Sequence, residues 1–134
     1  DMHDHQKYLV YYELDLGLNH VSRKFSRKVD LTAHHLVAVP GGAHGPGGVL
    51  VCAHHTISFV HPDLPTLDSA LPQRQSSSTT LIINSITHRQ RSNTFFFLLQ
   101  SEYGDLYKVT LSVDIGSKNT SPVRAINIHY FDTV

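Results

Sequence analysis

The stretch Phe95-Phe96-Phe97-Leu98-Leu99-Gln100-Ser101-Glu102-Tyr103-Gly104-Asp105-Leu106-Tyr107-Lys108-Val109-Thr110-Leu111 decides how this chain folds. An apolar, aromatic-rich run over 95–100 gives way to a polar reversal at 101–105, and a second run begins at Leu106. Short runs of this composition, bounded by turn residues, read as strands. Gly104 can take the positive φ that a tight reversal between antiparallel strands requires. The stretch therefore reads as a β-hairpin.

Upstream lies a second version of the same unit. Val49-Leu50-Val51-Cys52 turns through Ala53-His54-His55 into Thr56-Ile57-Ser58-Phe59-Val60. Val51 and Leu98 hold equivalent places, 47 residues apart. Each hairpin follows a strand and a polar connector: 36–39 then 40–48 in one case, 81–86 then 87–94 in the other. The opening runs 8–14 and 19–25 parallel 106–111 and 123–130, and Leu14 and Leu111 lie 97 residues apart, near twice the hairpin spacing. In all, strands are predicted at 8–14, 19–25, 35–39, 49–52, 56–60, 81–86, 95–100, 106–113 and 123–130. No apolar stripe of helical period persists for three turns.

A strand unit that recurs with a period in the forties has the size of a propeller blade of four antiparallel strands. A β-sandwich also uses short strands and turns, but it does not require the whole unit to recur. The recurrence favours the propeller, and of a divergent type, because the chain has no tryptophan and no Trp-Asp signature. The expected fold is all-β: a partial β-propeller of about two and a half four-stranded antiparallel blades. Residues 1–134 are read as a single propeller segment with blade-type hairpins at 49–60 and 95–111. Propellers close with roughly four to eight blades, so the chain is expected to be an open fragment of a larger one.

Composition narrows function by exclusion. The 134 residues carry 11 Lys plus Arg and 11 Asp plus Glu, a formal net charge of zero. Without excess positive charge there is no counterion-release drive toward nucleic-acid phosphates, so little or no direct nucleic-acid binding is expected. One cysteine, Cys52, forbids an internal disulfide and gives no sign of an oxidising compartment. The longest apolar run, 95–99, is far short of the roughly 20 residues a membrane helix needs. No secretory pattern is visible in 1–7. A nuclear or cytoplasmic protein fits best.

Each stretch that suggests chemistry has a plainer reading. The connector Pro40-Gly41-Gly42-Ala43-His44-Gly45-Pro46-Gly47-Gly48 is glycine-rich, but a phosphate-binding loop needs a Lys-Ser/Thr pair and a following helix. Here a strand follows, and a long interstrand turn is the default. The eleven histidines include the pairs His34-His35 and His54-His55, and His3 and His5 near the start. Adjacent strand residues point to opposite faces, so a pair on a regular strand cannot chelate one ion, and no spacing matches a zinc pattern. No metal and no cofactor are expected. No G-x-S-x-G elbow occurs, and Cys52 sits within a strand with no visible activator, so no catalytic residue is assigned. The basic runs Arg23-Lys24-Phe25-Ser26-Arg27-Lys28 and His88-Arg89-Gln90-Arg91 read as solvated rim loops, the places where propellers meet partners. The tract 75–80 reads as a polar connector, and the sequon Asn119-Thr120-Ser121 carries little weight without a secretory signal.

Several stretches taken together resemble a known family. They are Tyr11-Tyr12-Glu13-Leu14-Asp15-Leu16-Gly17-Leu18-Asn19-His20-Val21, Val39-Pro40-Gly41-Gly42 with Gly45-Pro46, the whole hairpin from Phe95 to Leu111, and Tyr130-Phe131-Asp132-Thr133-Val134. In this order they resemble the splicing factor 3b subunit 3 family of large spliceosome-associated propeller proteins. More distant kin are the large subunits of damaged-DNA-binding protein and of the cleavage and polyadenylation factor. The resemblance implies a place in the amino-terminal one of three propellers and a non-enzymatic scaffold role in pre-mRNA splicing, at branch-site recognition. It implies a nuclear location and, as partners, the HEAT-repeat large subunit and a small subunit of splicing factor 3b within a small nuclear ribonucleoprotein. The alternative is an adaptor of the damaged-DNA-binding type in a ubiquitin ligase, or a cleavage and polyadenylation scaffold. Residues 63–80, with Leu71-Pro72-Gln73-Arg74-Gln75 and a serine tract, depart from the proline-, arginine- and acid-rich pattern of the family and are read as a variable loop. The connector 114–122 is also longer and less acidic than the family pattern.

Overall fold

The computed structural model describes residues 5–72, 79–91, 94–113 and 123–131. They form two compact units, Asp1–Ala33 and His34–Val134.

In the first unit, β1 (Lys7–Asp15) pairs antiparallel with β2 (His20–Val29), with a register shift between Tyr11 and Tyr12. The reversal is built locally. Asp15 Oδ1 accepts the N–H groups of Gly17 and Leu18 at 3.0 and 3.2 Å, and Asn19 takes φ 51°. Asparagine tolerates this left-handed conformation better than other residues with a Cβ. Across the pair, the rings of Tyr11 and Phe25 meet at 4.6 Å. The basic run 23–28 belongs to this strand and is not a loop. Arg23 pairs with Tyr12, Arg27 with Leu9 and Lys28 with Tyr8. Its polarity misled the sequence reading because neighbouring residues of a two-stranded ribbon alternate toward water; the ladder to an apolar partner strand carries the run. Lys24 Nζ lies 2.8 Å from Glu13 Oε1, with both side chains exposed.

The second unit contains two four-stranded antiparallel sheets, each a simple meander. The first joins β3 (His35–Ala38), β4 (Val49–Cys52), β5 (Thr56–Val60) and β6 (Leu67–Ala70). The second joins β7 (Ile82–Arg91), β8 (Thr94–Ser101), β9 (Leu106–Val113) and β10 (Val123–Phe131). These four-stranded antiparallel sheets match the blades expected from the repeat. The 47-residue spacing is visible in the pairing itself. Leu50 faces Phe59 and Cys52 faces Ile57; in the second sheet, Phe97 faces Val109 and Leu99 faces Tyr107. All eight side chains are fully buried. Leu50 maps to Phe97 and Cys52 to Leu99 at 47 residues, while Phe59 and Ile57 map to Val109 and Tyr107 at 50, because the second reversal is three residues longer. These pairs belong to one core that both sheets share, joined by Val37, Val39, Leu71, Ile82, Phe95, Val123 and Ile126. Burying a Leu, Ile, Val or Phe side chain is worth about 1.5–3 kcal/mol, and six of the eight positions are of these types.

Two further expectations are corrected. Residues 63–80 are not wholly loop, since Leu67–Ala70 forms β6 on the open edge of β5 and Ser58 Oγ donates to Asp68 Oδ1. Leu67-Asp68-Ser69-Ala70 has weak strand preference alone; the neighbouring backbone edge supplies what the sequence lacks. The run His88–Arg91 is the second half of β7 and not a rim loop, with His88 paired to Phe96 and Arg89 to Phe95. The connector 40–48 contains a short 3-10 turn, Gly42–His44. The residues 75–78, 114–122, the sequon at 119–121 and His3 lie outside the described residues.

Candidate functional site

The glycine-rich connector makes close backbone packing. Val39 N–H donates to Gly48 O at 3.0 Å and Gly47 N–H to Pro40 O at 2.8 Å, so the loop folds back on its own stem. At Gly45 a Cβ would stand 2.6 Å from Pro40 O and 2.8 Å from the Phe95 ring. At Gly48, with φ +91°, a Cβ would meet Phe59 Cε1 and Val60 O, each at 2.9 Å. Glycine is required here because the chain runs against the core, and the N–H groups of Val39, His44 and Gly47 are turned inward to backbone oxygens. His61 closes the loop. Asp63 N–H donates to its Nδ1 at 3.0 Å, so the ring hydrogen sits on Nε2, which donates to Pro46 O at 3.1 Å.

The paired histidines do not converge as ligands. His34, just before β3, accepts at Nε2 the N–H of Ile82 on β7, at 2.9 Å. His35 Nε2 lies 2.9 Å from Ser85 Oγ, also on β7. The ring of His54 stands 5.7 Å from that of His34, and His55 meets His54 edge-on at 6.3 Å. The backbone of this turn is also engaged: His55 O accepts from Leu71 N at 2.8 Å and His54 O from Thr80 N at 3.3 Å. The histidines therefore line the seam between the two sheets. Burial, followed by the charge of His34, holds His35 below the usual histidine pKa. Among the described residues, no three His, Cys, Asp or Glu side chains are grouped to hold a metal ion. Cys52 is fully buried, and burial pushes its thiol up to about 12, far from the thiolate that nucleophilic chemistry needs.

A third feature was missed by the strand reading. The face of β7–β10 turned away from the shared core carries Phe96, Leu98, Lys108, His129 and Phe131. Lys108 Nζ lies 4.7 Å from the centre of the Phe96 ring, which His88 also meets at 4.9 Å. His129 packs on Phe131 at 4.7 Å. An open depression of about 520 Å³ is lined by Lys108, Thr110, Asn127, Ile128, His129 and Phe131. None of the four strands holds an Asp or Glu, while Arg89, Arg91, Lys108 and Arg124 lie on them. The signal was present in the unbroken run 95–99: an amphipathic strand alternates, and a run apolar in both phases asks for cover on both faces.

Two meandering four-stranded sheets that share one core define the class as a partial β-propeller. Residues 2–134 match the family described as the RSE1/DDB1/CPSF1 first beta-propeller, and the chain belongs to that family. It is 46% identical over 132 residues to "Spliceosome-associated protein 130 A" of Arabidopsis thaliana, covering 96% of this chain and 10% of that protein. It is 46% identical over 136 residues to "Pre-mRNA-splicing factor rse1" of Emericella nidulans, covering 96% and 11%. It is 46% identical over 129 residues to "Probable splicing factor 3B subunit 3" of Dictyostelium discoideum, covering 94% and 10%. The chain thus spans about a tenth of the length of the curated relatives it matches.

Proposed function

We propose that this chain is a blade segment of the first propeller of a splicing factor 3b subunit 3 protein, and that it serves pre-mRNA splicing as a non-enzymatic scaffold in the nucleus. The observation that carries the reading is the identity of 46% sustained over nearly the whole chain to proteins named as splicing factors. The fold supports it physically. The polar groups of the glycine connector and the histidine seam are spent on closing loops and joining sheets, and the thiol is sealed in the core. What the segment offers outward is surface: the cationic, aromatic face of β7–β10, with Lys108 on Phe96 and the rims beside it. In a propeller, a blade face is covered by its neighbour and the rims meet partners. The partners in this reading are the HEAT-repeat large subunit and a small subunit of splicing factor 3b, engaged during branch-site recognition, with little direct nucleic-acid contact by this segment.

The test is affinity capture from nuclear extract with the full-length protein, followed by identification of stoichiometric partners. Splicing factor 3b subunits are the expected result. Recovery of a cullin, or of cleavage and polyadenylation subunits, with splicing factor 3b absent would overturn the assignment in favour of a different member type of the same family.

A further inference from the structure

His34 reaches the second sheet through a directed bond, from Ile82 N–H to its Nε2 at 2.9 Å. Ile82 is buried and stands at a register shift of β7, at the sheet end where Glu102 N–H donates to Leu81 O. An imidazole that accepts at Nε2 must be neutral with its hydrogen on Nδ1, because the imidazolium has two donors and no acceptor. His34 itself is exposed, so solvent protons reach it freely. Among the described residues, the titratable side chains beside it include other imidazoles: His35 next to it in sequence, His54 on the β4–β5 turn at 5.7 Å between ring centres, and His55 behind His54. From the second sheet, Ser85 and Ile82 face the pair, and the reversal bonded to Leu81 carries two carboxylate residues, Glu102 and the fully buried Asp105.

We propose that these histidines form a pH-responsive clasp between the two sheets, closed while His34 is neutral and released when it gains a proton. Protonation replaces the acceptor that faces Ile82 N–H with a second N–H, so the bond is lost and two donors oppose each other. The new charge also stands among imidazoles, and each proton added makes the next less favourable. Histidine is the side chain whose charge changes between pH 5 and 8, so the seam is held at pH 7.5 and loosens toward pH 5.5. The depressed protonation of His35 acts in the same direction.

Hydrogen exchange at the Ile82 amide of the full-length protein, at pH 7.5 and 5.5 and corrected for intrinsic exchange, reads the clasp directly. Protection should fall about three- to tenfold at pH 5.5, the loss expected for one net hydrogen bond. In His34→Gln, whose amide oxygen accepts at any pH, it should not change. An equal fall in His34→Gln, or none in the wild type, would overturn the proposal. If His34→Gln loosens β7 and β8 already at pH 7.5, the ring tautomer of wild-type His34 by nitrogen NMR decides: the Nδ1–H form at pH 7.5 supports the clasp, and the Nε2–H form rules it out.

Discussion

Two glycines with nearly the same φ test whether close packing or backbone conformation makes the 40–48 connector glycine-rich. Gly48 and Gly104 have φ of +91° and +88°, a region L residues rarely adopt, so an alanine is strained at both, by about 1–2 kcal/mol. Their surroundings differ. A Cβ at Gly104 has nothing within 4 Å, whereas at Gly48 it would press on Phe59 Cε1 and Val60 O, each at 2.9 Å. Phe59 is fully buried and Val60 nearly so, and a backbone oxygen cannot swing aside. Forcing an extra carbon into such a site costs about 1–3 kcal/mol more. Gly48→Ala should therefore destabilise the segment by about 2–5 kcal/mol and Gly104→Ala by about 1–2 kcal/mol. Urea unfolding of the full-length variants, followed by pulse proteolysis with cleavage sites in this propeller, separates them. At a slope of about 2 kcal/mol per molar, a difference of about 2 kcal/mol moves the midpoint by about 1 M. Equal midpoints would show that conformation alone matters and that the approach of Gly48 to Phe59 is not tight.

Other outcomes follow from single positions. Leu99→Ala should cost about 2–5 kcal/mol, because its side chain is fully buried opposite Tyr107; the same unfolding assay would refute the shared core if the cost fell below about 1 kcal/mol. Cys52 should resist maleimide at pH 8 in the native protein and react on unfolding, since its thiol is buried and pushed up to about 12; stoichiometric native labelling would contradict the core register. His35, held below its ordinary value by burial and by His34, binds fewer protons folded than unfolded. Stability should therefore rise with pH from the depressed folded value up to about 6.5 and level off above it. His35→Gln should flatten that slope, and an unchanged stability profile would remove His35 from the seam. Lys24→Ala should change stability by less than about 1 kcal/mol, because its partner Glu13 and Lys24 itself are both exposed.

How much could be read in advance depended on whether a signal was local. The hairpin at 95–111 announced itself through apolar runs, a polar reversal and a glycine, and Gly104 does take positive φ. The strands missed or cut short were those whose own residues argue poorly for strand. Leu67–Ala70 needs the edge of β5, and the basic halves of β2 and β7 need partners across the ladder. Residues that looked like chemistry were spent otherwise, the glycines on close approach and the histidines on the seam. Nothing in their spacing tells that His34 will find Ile82, 48 positions away.

From the chain alone came the period. Side chains alternate along a strand and blades repeat along a sequence, so the 47-residue spacing that joins Val51 to Leu98 also orders the core pairs Leu50 with Phe97 and Cys52 with Leu99. The all-β propeller reading rests on that linear pattern, and the family resemblance rests on particular stretches such as 11–21 and 95–111. The tertiary structure decided which face of each sheet is buried, which backbone edge rescues β6, and which imidazoles reach β7 across the seam. Those outcomes turn on contacts between residues dozens of positions apart, whose free energy exists only once the two sheets have closed on each other.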